Sequence, residues 1–134
     1  MGYHNLNIFI AEDEDDEIQL IKRALKKSGL PTQLEHVRDG EAAIQYFSGL
    51  LENPAPTWPD VIVLDIKLPR RNGFDVLEWL KERKSLPPPA VIIHSSSDQP
   101  KDIKKAKSLG VTCFLTKEVT YANLLDTLRG LSST

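Results

Sequence analysis

Asp65 is the residue around which chemistry can be built. It ends the run Val61-Ile62-Val63-Leu64-Asp65, followed by Pro69 and Gly73 at intervals of four. Four consecutive apolar residues predict a strand buried on both faces, with Asp65 where it emerges. In open parallel α/β sheets, ligands bind at that carboxyl edge. Three further apolar runs end in polar residues of different kinds. Leu6 to Ala11 runs into Glu12 and Asp13, Ala90 to His94 into Ser95, and Thr112 to Thr116 into Lys117. If these runs are parallel strands, their ends converge. Three carboxylates, a hydroxyl and an ammonium group then share a small volume. Clustered carboxylates repel one another unless a cation sits among them. A hard divalent ion such as Mg2+ takes oxygen ligands of this kind. A carboxylate placed beside it can attack phosphorus and form an aspartyl phosphate, with lysine and metal offsetting charge on the transferring group.

The elements that must position these groups alternate along the chain. Ile18, Ile21, Ala24 and Leu25 recur at helical spacing from about Asp15 to Ser28, and Gly29 and Pro31 end that helix. Gln33 to Val37 predicts a short strand. Asp39 is placed to N-cap a helix reaching about Phe47. Gly49 to Pro59, with three prolines, predicts a long loop. Phe74 to Lys84 predicts a helix, separated from the next strand by Pro87, Pro88 and Pro89. Pro100 suits the first turn of a helix that stops before Gly110, and Val119 to Leu131 predicts the last helix. Such alternation predicts an α/β fold with a parallel sheet.

These residues together resemble the response regulator receiver domain, the CheY-like fold, over essentially the whole chain. Asp65, Pro69 and Gly73 match the family's Asp-x-x-x-Pro-x-x-x-Gly pattern. The acidic pair falls on Glu12 and Asp13, the hydroxyl on Ser95 and the lysine on Lys117. The resemblance implies a doubly wound (βα)5, flavodoxin-like three-layer sandwich with a five-stranded parallel sheet of order 2-1-3-4-5. It implies Asp65 as phosphoacceptor, assisted by Lys117 and Ser95. Mg2+ would be held by Asp13, Asp65 and the main-chain carbonyl of Lys67, with Glu12 often acting through water. Ser95 and Phe114 would form the switch. The phosphoryl donor would be a sensor histidine kinase or a histidine phosphotransfer protein. The small size and long loop resemble single-domain receivers paired with phytochrome-type or hybrid kinases. A downstream protein target is implied, as is a homodimer through the last two helices and fifth strand, where Tyr121, Leu124 and Leu128 lie. Two departures stand out. Glu118 follows Lys117 where the family has proline, and Phe114 stands where tyrosine is commoner.

Plainer readings hold for other residues. Glu14, Asp15, Asp16 and Glu17 are expected to complement the dipole of the following helix. Lys101, Lys104, Lys105 and Lys107 are expected to form a solvated helix face, and His4, His36 and His94 lack metal-ligand spacing. Lys67, Ser97 and Asp98 are expected near the mouth of the site. A haloacid-dehalogenase-like phosphatase would need Asp-x-Asp, but Lys67 holds the second position. No glycine-rich phosphate loop follows the first strand. A receiver-like module that ignores phosphate is the remaining alternative.

Bulk properties agree. The 134 residues predict one receiver domain over residues 1–134 with no output domain, so signalling by protein docking is expected. A net charge of -2 points to neither nucleic acid nor membrane. A single cysteine, Cys113, excludes an internal disulfide and is consistent with a cytoplasmic protein. No apolar run approaches a membrane span, and no signal peptide is evident at the amino terminus.

Overall fold

A computed structural model describes residues 6–54, 56–83, 90–96 and 99–116, together with 126, 127 and 130. Within them, five strands alternate with four helices. These are β1 (Leu6–Ala11), α1 (Asp15–Ser28), β2 (Thr32–Val37), α2 (Gly40–Glu52), β3 (Val61–Leu64), α3 (Gly73–Lys81), β4 (Ala90–Ser95), α4 (Pro100–Ser108) and β5 (Cys113–Thr116). All pairings are parallel, in the order β2-β1-β3-β4-β5. The expected doubly wound sheet is therefore the observed one. The predicted helix from Val119 to Leu131 and the triple-proline segment lie largely outside the described residues.

The strands bury both faces because each alternates between two apolar clusters. Leu6, Ile8 and Ile10 of β1, Val61 and Val63 of β3, and Ile92 of β4 meet Ile18, Ile21 and Leu25 of α1. Phe9, Ile62, Leu64 and Ile93 point the other way, toward Phe47 of α2 and Phe74, Val76 and Leu77 of α3. Period-two alternation thus feeds two layers of helix from one sheet.

Local signals set the helix ends. Gly29 closes α1 at φ 75°, a left-handed conformation that glycine adopts without penalty. Asp39 caps α2 as expected, its side chain accepting from the Ala42 amide at 2.7 Å. Asn72 and Asp75 form a reciprocal capping box at the start of α3.

The α2 helix outruns its predicted end near Phe47 and continues to Glu52. Gly49 in a helix interior costs about 1 kcal/mol relative to alanine. Continuing for one more turn brings Leu50 against the core beside Phe47, and that burial offsets the cost. The loop from 53 to 60 is correspondingly shorter than the sequence suggests, and it is anchored. Trp58 stacks on Phe47 with centroids 5.7 Å apart and planes at 8°. The Asp60 carboxylate accepts from the Asn7 amide at 2.9 Å, and its amide donates to the Asn7 carbonyl at 2.8 Å. Its carbonyl also accepts from the Ala90 amide at 3.1 Å. One residue therefore ties the entries of β1, β3 and β4 together.

Candidate functional site

Strand register decides which chain ends meet. Ala11 of β1 pairs with Leu64 of β3, so Glu12 and Asp65 are the next residues on neighbouring strands. Leu64 pairs with Ile93 of β4, which brings Ser95 to the same edge two residues on. Ser95 in turn pairs with Thr116 of β5. The next residue, Lys117, lies outside the described residues, as do Ser97 and Asp98.

Three polar side chains of this edge are buried. Glu12 is 2% exposed, Asp65 4% and Ser95 0%. The backbone around them is fixed by neighbouring strands. The Glu12 amide donates to the Val37 carbonyl at 3.1 Å, and its carbonyl is 3.0 Å from Nε2 of His36. The Asp65 amide donates to the Ala11 carbonyl at 3.1 Å. The Asp65 carboxylate accepts from the Lys67 amide at 3.1 Å, closing a tight turn just past β3. Lys67 itself is exposed.

Gly73 supports that turn from below. Its amide donates to the Ile66 carbonyl at 2.8 Å. A methyl group there would lie 2.4 Å from the Asp65 carbonyl oxygen and 3.0 Å from the Ile66 α-carbon. The family-like glycine thus exists so that α3 can begin directly beneath the Asp65 backbone. Gly73→Ala should lower stability by about 1–3 kcal/mol, the usual range for overpacking. It should also shift the Asp65 carbonyl. Chemical denaturation checks the first effect, and amide NMR shifts of residues 65 to 67 check the second.

The acidic residues do not assemble quite as the sequence suggests. Glu12, Glu14 and Asp65 each place one carboxylate oxygen within 4.8 Å of the other two. Asp13, the expected second acid, is exposed and outside this set. Glu14 was expected only to complement the helix dipole. It does occupy the N-cap of α1, but its side chain makes no capping hydrogen bond. Its amide donates instead to Oε2 of Glu12 at 3.1 Å, which folds the loop over the edge. No sequence signal marks this, because an acidic run before a helix looks alike whichever member lies beside the sheet edge. Asp15, Asp16 and Glu17 do lie in the first turn of α1, as expected.

The donor set suits a hard divalent cation. Its atoms are all carboxylate oxygens, two of the three groups are buried, and like charges this close favour an ion between them.

The remaining predicted residues separate into placed and unplaced. Phe114 is half-buried, in register with Ile93, and packs on the cluster shared with α2 and α3. Cys113 is half-buried and packs on the α1 side. His94 is buried at 3% exposure. Lys101, Lys104, Lys105 and Lys107 are exposed along α4. Tyr121, Leu124 and Leu128 lie outside the described residues. No helix among the described residues is long and apolar enough to cross a membrane.

A recess of about 290 Å³ lies away from these carboxylates, between β1, β2, Tyr46, Thr57 and Pro59. Burial of the Tyr46 hydroxyl, and to a lesser extent the charge of Glu35, raise its pKa above the ordinary tyrosine value. Its ring stacks on Phe9 at 4.9 Å, which marks it as a packing residue.

Comparison with known proteins converges on one family. The family model described as the response regulator receiver domain matches residues 8–129. The probable methanogenesis regulatory protein FilR2 of Methanothrix harundinacea is 31% identical over 121 residues, covering 90% of this chain and 77% of that protein. Response regulator Rcp1 of Synechocystis is 29% identical over 126 residues, covering 94% and 86%. The crystal structure of the Mn2+-bound form of Rcp1 superposes with a TM-score of 0.79, covering 96% of this chain and 92% of that one. The phosphorylated cyanobacterial phytochrome response regulator RcpA does so at 0.75 with 34% identity, covering 96% and 91%. Because the match runs from residue 8 to residue 129 on a sheet of the expected order, the chain belongs to the response regulator receiver domain family of two-component systems.

Proposed function

We propose that this receiver accepts a phosphoryl group on Asp65 from a phosphohistidine and signals through the conformational change that follows. The observation that carries this reading is a carboxylate buried at the carboxyl edge of the sheet, directly beside the buried carboxylate of Glu12. An Asp65 oxygen forms the new P–O bond as the P–N bond of the donor breaks, the electron pair returning to the imidazole. Bound Mg2+ supplies charge neutralisation for the phosphoryl oxygens. Glu12, Asp13, Asp65 and the Lys67 carbonyl are the proposed metal-site groups. Lys117 is the proposed cation facing the phosphoryl group, and the Ser95 hydroxyl the proposed donor to it.

Phosphorylation adds charge and strong acceptor oxygens to a buried edge. Ser95, fully buried at the end of β4, is drawn toward them. Phe114, half-buried on the neighbouring strand, follows into the space released. This is a population shift between two states biased by local contacts. The face around β5 and α4 would then change its preference for a downstream protein or for a second copy. The likeness to a phytochrome response regulator supports a phytochrome-type or hybrid histidine kinase as donor. Water hydrolyses the acyl phosphate and resets the switch, so the only chemistry proposed is the protein's own modification.

Intact-mass analysis after incubation with acetyl phosphate tests this reading. A labile gain of one phosphoryl group that requires both Mg2+ and Asp65 is expected. If neither acetyl phosphate nor a beryllofluoride titration gives a Mg2+-dependent response, the chain is a phosphate-independent binding module. A thermal measurement is independent of the donor. A ligand at ten times its dissociation constant stabilises the folded state by about 1.4 kcal/mol. Mg2+ at that excess should raise the melting temperature by several degrees, and chelator should reverse the shift.

A further inference from the structure

We propose that His36 is a positioning residue for the cation site, a role that rests on the metal-dependent reading above. It acts on the main chain of Glu12 rather than on the ion. Its Nε2 lies 3.0 Å from the Glu12 carbonyl oxygen. A carbonyl oxygen can only accept, so Nε2 carries the proton and donates. The amide of the same glutamate donates to the Val37 carbonyl at 3.1 Å. Two successive residues of β2 therefore hold Glu12 on both sides of its α-carbon.

Strand register explains why a side chain does this work. Ile10 pairs with His36 and Ala11 with Val37, where β2 ends. A parallel ladder carried one step further would offer the Glu12 carbonyl the amide of residue 39. The chain has left the ladder by then, because Asp39 is the N-cap of α2. The His36 ring supplies a donor in its place. That carbonyl belongs to the peptide joining Glu12 to Asp13, so holding it fixes the direction in which the β1–α1 loop leaves the sheet. The direction in turn sets where the buried Glu12 carboxylate and the Asp13 side chain stand relative to Asp65. A second tie between the same two segments, the ion pair of Arg38 with Asp15, lies at the surface with side chains 60% and 71% exposed, and it contributes little. His36 is the tie placed to matter to the site, while Asp65 remains the reacting group.

Direct cation binding tests this. Mn2+ serves as the probe, with free ion counted by its EPR signal. The full chain is compared with His36→Phe, His36→Gln and Arg38→Ala. Phenylalanine keeps the ring and removes the donor, whereas glutamine can bring an amide N–H to the position of Nε2. His36→Phe is expected to weaken Mn2+ binding about tenfold, the lower end of the range for groups that orient metal ligands, because His36 holds backbone rather than a carboxylate. His36→Gln should recover most of the loss. Arg38→Ala should leave affinity within about twofold of the parent, as expected for a screened surface pair. A purely structural His36 would show a lowered melting temperature in His36→Phe with parent-like Mn2+ affinity, and that result would overturn the role while leaving the Asp65 reading intact. Equal weakening by His36→Phe and His36→Gln would overturn it too, since the hydrogen bond would not then be the cause. So would a loss in Arg38→Ala as large as that in His36→Phe. Absence of Mn2+ binding by the parent chain would remove the metal-dependent reading itself and this role with it. NMR of the parent chain serves if His36→Phe does not fold. Saturating Mg2+ should shift the His36 Nε2–H resonance, and an unmoved resonance would overturn the role.

Discussion

Asp65→Asn should abolish the Mg2+-dependent phosphoryl gain while leaving the protein folded. The side chain sits at 4% exposure and accepts a hydrogen bond from the Lys67 amide. Asparagine has nearly the same shape, and its amide oxygen can keep that bond. What it lacks is the anionic oxygen that attacks phosphorus. The substitution also removes one carboxylate from the set shared with Glu12 and Glu14. Cation affinity should therefore fall together with phosphorylation. Intact mass after acetyl phosphate treatment reads the first effect and Mn2+ binding the second. A folded Asp65→Asn protein that still gained a labile, Mg2+-dependent phosphoryl group would place the acceptor elsewhere, and fragmentation of the modified protein would locate it. The same variant separates switch from scaffold. If partner binding is unchanged by Asp65→Asn and by phosphodonor, the chain acts as a phosphate-independent module.

The largest loss of stability is expected from Phe47→Ala, about 3–5 kcal/mol. Phe47 is completely buried. Its ring meets Phe9 of β1 at 4.7 Å and Trp58 of the loop before β3 at 5.7 Å. Truncation leaves a void that a rigid sheet on one side and a helix on the other cannot close. It also unseats Trp58, which anchors the loop leading into β3. For a domain of this size the melting temperature should drop by about 10–20 °C. Thermal or urea denaturation measures it. Phe47→Leu, which keeps most of the volume, should lose under about 1.5 kcal/mol. Near-equal losses from the two variants would show that ring packing on Trp58 and Phe9, rather than volume, dominates.

Both expectations concern features that differ in how far they can be read from the chain. The carboxylate edge of the sheet was legible because its elements are local. A run such as Val61 to Leu64, short, rich in β-branched residues and apolar at every position, reads as a strand buried on both faces. The residue that follows it must then stand at an end of the sheet. Parallel pairing of four such runs brings Glu12, Asp65 and Ser95 together without any knowledge of side-chain geometry, and the register of β1 with β3 and of β3 with β4 bears this out. Helix ends written in capping residues, Asp39 and Gly29 among them, were legible for the same reason.

Sequence patterning therefore determined the fold class and which residues meet at the carboxyl edge of the sheet, while the family likeness supplied the strand order. Periodicity and terminal chemistry act within a few residues and survive in any context. Tertiary structure decided the rest. It carried α2 past Gly49, because burying Leu50 outweighs a local helix penalty. It placed Gly73 beneath the Asp65 carbonyl, a close contact that gives the reason for the glycine in the Asp65–Pro69–Gly73 spacing. It brought a carboxylate oxygen of Glu14 near those of Glu12 and Asp65 and left Asp13 outside that group, although both are exposed acids in one run. Which carboxylate faces the edge depends on how the β1–α1 loop closes on Glu12. That closure is set by hydrogen bonds and packing from β2 and α1, which act in three dimensions and leave no trace in the order of residues.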